Sequence, residues 1–215
     1  MNKKVYCGAM LLASIVATGC AEQKKVEEKK PNIIYFLVDD MGMGDLSLTG
    51  QKKYETPNID KLAADGMLFT NHYCGTTVSG PSRACLMTGK HTGHTSVRGN
   101  QPGPQLLGDN EATLASVLKG AGYKTAVIGK WGIGHPIPLD DPQRKGFDLS
   151  YGYLNMWHAH NCFPEFLYRN GVKEELTGNK LALAEDGTNP WADMPEGTGV
   201  ARLDARKQYA PDLFE

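Results

Sequence analysis

Charge of one sign is missing from this sequence. Its 23 lysines and arginines nearly cancel 24 aspartates and glutamates, leaving a net charge of -1 over 215 residues. Nothing in that balance points to a nucleic-acid partner. Cysteine is sparse and unpatterned: Cys7, Cys20, Cys74, Cys85 and Cys162 show no metal-type spacing. No disulfide is expected from them, and Cys85 reads as a buried free thiol. Internal repeats are absent. The apolar run from Val5 to Val16 is too short for a membrane span. No histidine stands within four residues of Ser79, although a serine is a poor nucleophile without something to activate it.

What is present begins with an export pattern. Lys3 and Lys4, the short apolar run and Ala17-Thr18-Gly19-Cys20 read as a signal over residues 1–20. The cysteine makes it a lipoprotein-type site, with Cys20 becoming the lipidated end, or else an ordinary secretory signal with an incidental cysteine. Residues 21–31, opening "AEQKKVEEKK", read as a solvated tether. The remainder, 32–215, is long enough for one domain. The expected location is the periplasm or the cell surface, with the membrane contacted through the lipid alone. Glycine is abundant, at 25 residues, and predicts many tight turns.

Along the domain, "NIIYFLV" (32–38) reads as a strand buried on both faces. Thr56-Pro57 opens a helix with Ile59, Leu62, Ala63 and Met67 on its apolar side and Gly66 as its stop. "MLFTNHY" is a second strand candidate, and the Ser79 segment is a helix ending at Gly89. Asn110-Glu111 starts another helix with Leu114, Val117 and Leu118 on one face, and "YKTAVIG" is a further buried strand ending at Lys130. Strands alternating with helices predict an α/β fold with a mainly parallel sheet. Asp39-Asp40 and Lys130 both fall past strand C-termini, the edge where such sheets bind ligands.

The adjacent aspartates suit Ca²⁺ or Mg²⁺, or are the solvated carboxylates of a turn. Ser79 at a helix start is either a cap or sits at the end of a helix that favours an anion. Arg83, one turn on, could hold an oxyanion with two prongs, and Lys130 offers a point charge. Both are equally compatible with solvated surface side chains.

Taken together, these residues fall in four blocks that resemble one family. "SGPSRACLMTG" closely resembles the signature of the type I, formylglycine-dependent sulfatases. "NIIYFLVDDMGMGDL", "TPNIDKLAADGMLF" and "GYKTAVIGKWGIGH" resemble that family's other N-terminal blocks, in the family order. The resemblance covers roughly residues 31 to 170. It implies the alkaline-phosphatase-superfamily fold, α/β with a mainly parallel sheet flanked by helices. By motif position, Asp39 and Asp40 look like metal ligands completed by Ser79, with Ca²⁺ the family's usual ion and Mg²⁺ an alternative. Ser79 looks like the residue that a maturation enzyme oxidises to formylglycine. The hydrated aldehyde then offers one hydroxyl to attack sulfur and a second whose deprotonation releases sulfate. Arg83 looks like the holder of that hydrate and Lys130 like a binder of its oxygens. Gly44 and Asp45 look structural. The implied substrate is a sulfate ester, expected on a sulfated glycan.

Two departures stand out. The family block reads Lys-Trp-His where this chain has Lys130-Trp131-Gly132, and His135 comes three residues later. The family's later metal ligands and leaving-group histidine have no counterpart before "YAPDLFE", so the expectation is an N-terminal portion with the C-terminal part of the fold missing. "YLNMWHAHNCFPEF" places His158 and His160 among aromatics, where with His135 they could bind substrate or, in the loop's case, simply pack. Alternatives from other classes are a phosphate or phosphonate ester hydrolase and a non-catalytic lipoprotein.

Overall fold

The computed structural model describes residues 29–100, 107–108, 110–133 and 141–215. The export signal with Cys20, most of the tether and His135 lie outside the described residues. Among the described residues no helix is long and apolar enough to cross a membrane.

The chain divides into a first unit ending at Val38 and a second from Asp39 to Glu215. In the first, the run expected to be a buried strand forms no β-ladder, and Ile34 and Phe36 are 78% and 83% exposed. A buried strand is made by its neighbours rather than by its own residues, since apolarity supplies the motive for burial and pairing supplies the place.

Among the described residues the second unit carries three α-helices, α1 (Pro57–Asp65), α2 (Ser79–Thr88) and α3 (Leu114–Gly120), and four strands. The strands are β1 (Ala126–Lys130), β2 (Leu149–Tyr153), β3 (Phe166–Arg169) and β4 (Val172–Glu175), in that order across one sheet. β1 and β2 are parallel, while β2–β3 and β3–β4 are antiparallel. The sheet of the described residues is therefore mixed, not mainly parallel as the alternation suggested. The reason is the hairpin "YRNGVK": Asn170 and Gly171 both have positive φ, 50° and 78°, the two-residue Asn-Gly turn that matches strand twist.

α1 starts at Pro57 and stops before Gly66 as expected. Thr56 holds the N-cap position, yet its hydroxyl is bonded to Asp60 Oδ1 at 2.9 Å and Ser47 Oγ at 2.9 Å rather than to the helix N–H groups. Its expected core face is open, Leu62 being 68% exposed, and "MLFTNHY" forms no strand. α3 begins three residues later than expected, because Thr113 caps it by accepting the Ser116 N–H at 3.1 Å. It buries Ala115 rather than Leu114 and Val117.

Two cores result. One packs Ala84 of α2, Ala115 of α3, Val97, Leu107, Trp131, Ile133 and Phe147 together. Trp131 and Phe147 meet edge to face at 5.8 Å between centroids. The other joins Tyr151, Tyr153, Leu167, Leu176 and Ala210 beneath β2 and β3. The first core seats the start of α2 beside the end of β1, and this positions the site. Cys85 is buried with its thiol unpaired, as expected.

Candidate active site

Ser79 is the first residue of α2, with Val78 rather than the serine at the N-cap. Its side chain is thus free of capping and is met by Arg83 one turn on, whose Nε donates to Ser79 Oγ at 3.1 Å. The same guanidinium donates from Nη1 to the carbonyl of Lys130 at 2.6 Å and approaches Asp39 Oδ2 from Nη2 at 3.5 Å. Lys130, at the end of β1, donates from Nζ to Asp39 Oδ2 at 2.7 Å. Arg83 thereby fastens helix start, strand end and the 39 turn together, a task suited to a planar fork and beyond a single point charge.

Burial of Asp39 opposes its ionisation, but the Lys130 hydrogen bond and charge, with Arg83 and His160 behind them, outweigh it and hold its carboxyl below the usual range. Burial lowers the Arg83 pKa and Asp39 partly offsets this; a guanidinium stays charged throughout. Asp40 takes a left-handed backbone conformation, φ 55°. The Asp45 carboxylate accepts the Gly42 N–H at 2.7 Å and closes the turn after the aspartates, while the Gly44 carbonyl accepts from Gln51 at 2.9 Å.

Asn100 is a contributor with no signal in the sequence. Its Oδ1 accepts the Gly80 N–H at 2.9 Å, so one of the helix-start donors expected to be open is already taken. Only the close approach of two segments twenty residues apart reveals it.

His158 and His160 part company. His158 is fully buried, with its ring against Tyr153, Phe166 and Tyr168, and a substrate would reach it only by opening that packing. His160 is exposed, and its charge acts on Asp39.

The metal expected here is only partly provided for. Ca²⁺ takes six to eight oxygens, whereas no group of three or more His, Cys, Asp or Glu among the described residues could hold an ion. Asp39 is moreover neutralised by two cations. Taken alone, these residues do not complete a cation site, and no chemical step is routed through one.

Gly132, where the family has histidine, adopts φ 64°. A Cβ there would lie 3.1 Å from Arg83 Cδ and 3.1 Å from Lys130 Cε. The glycine lets both cations close over the turn. Gly132→Ala is expected to cost about 1–2 kcal/mol from the left-handed backbone, about 2–8 °C in melting midpoint, with histidine costing at least as much. A histidine variant melting with the parent would show that the turn does not need glycine.

A serine, an arginine and a lysine converging on one point at a helix start can hold an oxyanion, and the scaffold that brings them together is α/β. The chain belongs to the sulfatase family, whose model matches residues 31–191. It is 44% identical to N-acetylgalactosamine-6-sulfatase of Sus scrofa over 135 residues, 58% of this chain and 26% of that protein. It is 37% identical to N-acetylglucosamine-6-O-sulfatase of Bacteroides thetaiotaomicron over 157 residues, 72% of this chain and 26% of that protein. The chain therefore spans about a quarter of the length of these relatives. Its fold is sulfatase-like: it matches a solved structure from work on glycosaminoglycan metabolism by Bacteroides thetaiotaomicron with a TM-score of 0.63 at 29% identity. That match covers 86% of this chain and 46% of the other.

Proposed function

We propose that the full-length protein hydrolyses sulfate esters of sulfated carbohydrates, with Ser79 as the precursor of a formylglycine. The observation that carries the reading is the Arg83 fork, which joins Ser79, four residues before it, to Lys130, 47 residues after it. Arg83 Nε already lies on the oxygen that would become part of the hydrate, so it orients that hydroxyl toward the sulfur. Lys130 is the nearby ammonium able to turn from Asp39 to a sulfate oxygen. The aldehyde hydrate supplies one hydroxyl to take the sulfuryl group and another whose deprotonation expels sulfate. A carbohydrate substrate is supported by the names of the hexosamine sulfatases above.

Asp39 and Asp40 are this segment's ligands for a divalent cation, Ca²⁺ or Mg²⁺, in the same reading. Modified Ser79 completes this side, the remaining ligands come from outside the described residues, and Asp39 must then leave Lys130. Maturation by a formylglycine-generating enzyme, export, and lipid attachment at Cys20 complete the proposal.

Mass analysis of the tryptic peptide 62–83 from the native host tests it. The expected peptide is lighter than the encoded one by two hydrogens at Ser79, or, as the hydrate, heavier by one oxygen. An unmodified serine in protein that releases sulfate overturns the reading.

A further inference from the structure

A cleft of about 410 Å³ opens between β3 and the loop over residues 189–198. Its size suits a small ligand, and its lining joins one aromatic face to a few polar groups: Trp191, Asn161, Asn189, Glu165 and Glu196. Trp191 is half-buried and seated by design of the backbone, since a Cβ on Gly199 (φ 143°) would lie 3.0 Å from the indole and 2.3 Å from Leu181. The loop is set by successive turns, Asn189 Oδ1 accepting the Trp191 N–H at 2.9 Å and the Trp191 carbonyl accepting the Met194 N–H at 3.0 Å. Such a platform loses little entropy on binding.

Asn161 is 4% exposed, and its Oδ1 is committed to the Phe163 N–H at 3.1 Å. Its Nδ2 has no partner among the described residues, which leaves a nearly buried donor at the cleft wall. Glu196 is neutralised by Lys173 and bonded by Tyr168 Oη at 2.9 Å. Glu165 keeps an oxygen beyond the one that accepts the Leu181 N–H. No lysine, arginine or histidine lines the cleft. An anionic group would meet Glu165 with nothing to balance it, whereas a pyranose fits: its C–H face covers the indole and its hydroxyls meet an amide donor and a carboxylate acceptor.

The cleft is tied to Ser79 through one short segment. Asn155 Nδ2 donates to the Glu196 carbonyl at 3.0 Å, and the next residue, Met156, stands with Cε 3.1 Å from where a Cβ on Gly80 would be. Two side chains and one peptide thus bound the distance from the Glu196 carbonyl, at the cleft edge, to Gly80 at roughly 20 Å. That is the reach of a short oligosaccharide.

We propose that this cleft binds an uncharged sugar unit of the chain whose sulfated unit lies at Ser79. The inference rests on the sulfated-carbohydrate reading for the identity of its ligand. It also moves the sugar-contacting role read for the buried His158 onto Trp191 and Asn161.

Binding is measured on the 215-residue chain by following the Trp191 indole N–H resonance, assigned by its loss in Trp191→Phe. The probes are N,N′-diacetylchitobiose, lactose and inorganic sulfate. One of the neutral disaccharides is expected to shift that resonance with a Kd of about 1–10 mM, the weak range set by a single stacked ring, while sulfate leaves it in place. Followed by calorimetry, Trp191→Ala is expected to weaken that disaccharide at least about tenfold and Trp191→Phe only about threefold. Failure of both disaccharides, a sulfate-induced shift of the same size, or unchanged affinity in Trp191→Ala overturns the inference. Because binding here needs no formylglycine, an unmodified Ser79 with the disaccharide still bound would sink the proposed function and spare the cleft.

Discussion

Replacing Arg83 with alanine is expected to lower kcat/KM for sulfate-ester hydrolysis by the full-length protein about 100- to 1000-fold, the usual cost of removing a preorganised donor from a developing oxyanion site. The effect is large because three contacts go at once. Ser79 Oγ loses its donor at 3.1 Å, the Lys130 carbonyl loses its bond at 2.6 Å, and Asp39 keeps only Lys130. Lysine at this position is expected to recover little, since one ammonium cannot serve the three groups a planar fork reaches. The loss is expected mainly in kcat, because in the proposed reading Arg83 acts on the nucleophile rather than on the remote part of the substrate. An Arg83→Ala protein within a few-fold of the parent would mean that the fork is a structural tie only.

Stability is expected to fall as pH drops from about 7 toward 4, and His158 is the reason. It is fully buried, neither ring nitrogen has a hydrogen-bond partner, and burial pushes its pKa down to about 4. The charge of Glu196 pulls it back up less strongly, and that of Lys173 adds to the lowering. In the unfolded chain the imidazole titrates near its ordinary 6.5. The folded state therefore binds fewer protons in this window, so the histidine costs nothing above the unfolded pKa and progressively more below it, up to about 3 kcal/mol by the folded pKa. His158→Phe removes the titration and is expected to flatten this part of the pH–stability curve. The slope is the readout, so a constant packing penalty of the larger ring against the close backbone of Gly197 leaves the test intact. Equal slopes in parent and variant would place the acid sensitivity elsewhere.

Much of the site was legible because motif chemistry survives in linear order. Ser79, Arg83, Lys130 and Asp39 were each singled out from the chain, and the structure brings these four into contact. Asp40 gave no such contact, and His158 proved to be core, because a histidine among aromatics reads the same whether its ring faces a ligand or Phe166. Asn100 and Trp191 were missed for a different reason: each acts through a partner that the sequence places far away or that is a glycine backbone.

The fold shows the same division. α1, α2 and β1 follow from signals within a few residues, namely Pro57 at a first helical turn, Gly89 at a C-terminus with its N–H on Cys85, and a β-branched run, although β1, expected to be buried, has no buried residue and leaves Ile128 exposed. The Asn-Gly hairpin carried an equally local signal. Strand partners were beyond such reading. β-structure is completed by ladders to other segments, so "NIIYFLV" and "MLFTNHY" declare a preference that only tertiary pairing can satisfy.

By itself, then, the sequence determined the family, the residues of the Ser79–Arg83–Lys130–Asp39 cluster and the helices whose caps are local. Only the tertiary structure decided which strands form, that Asp39 answers to two cations, that His158 is core and that Trp191 stands in a cleft. Those outcomes depend on burial and pairing between distant segments, and such energies exist only once the chain has closed on itself.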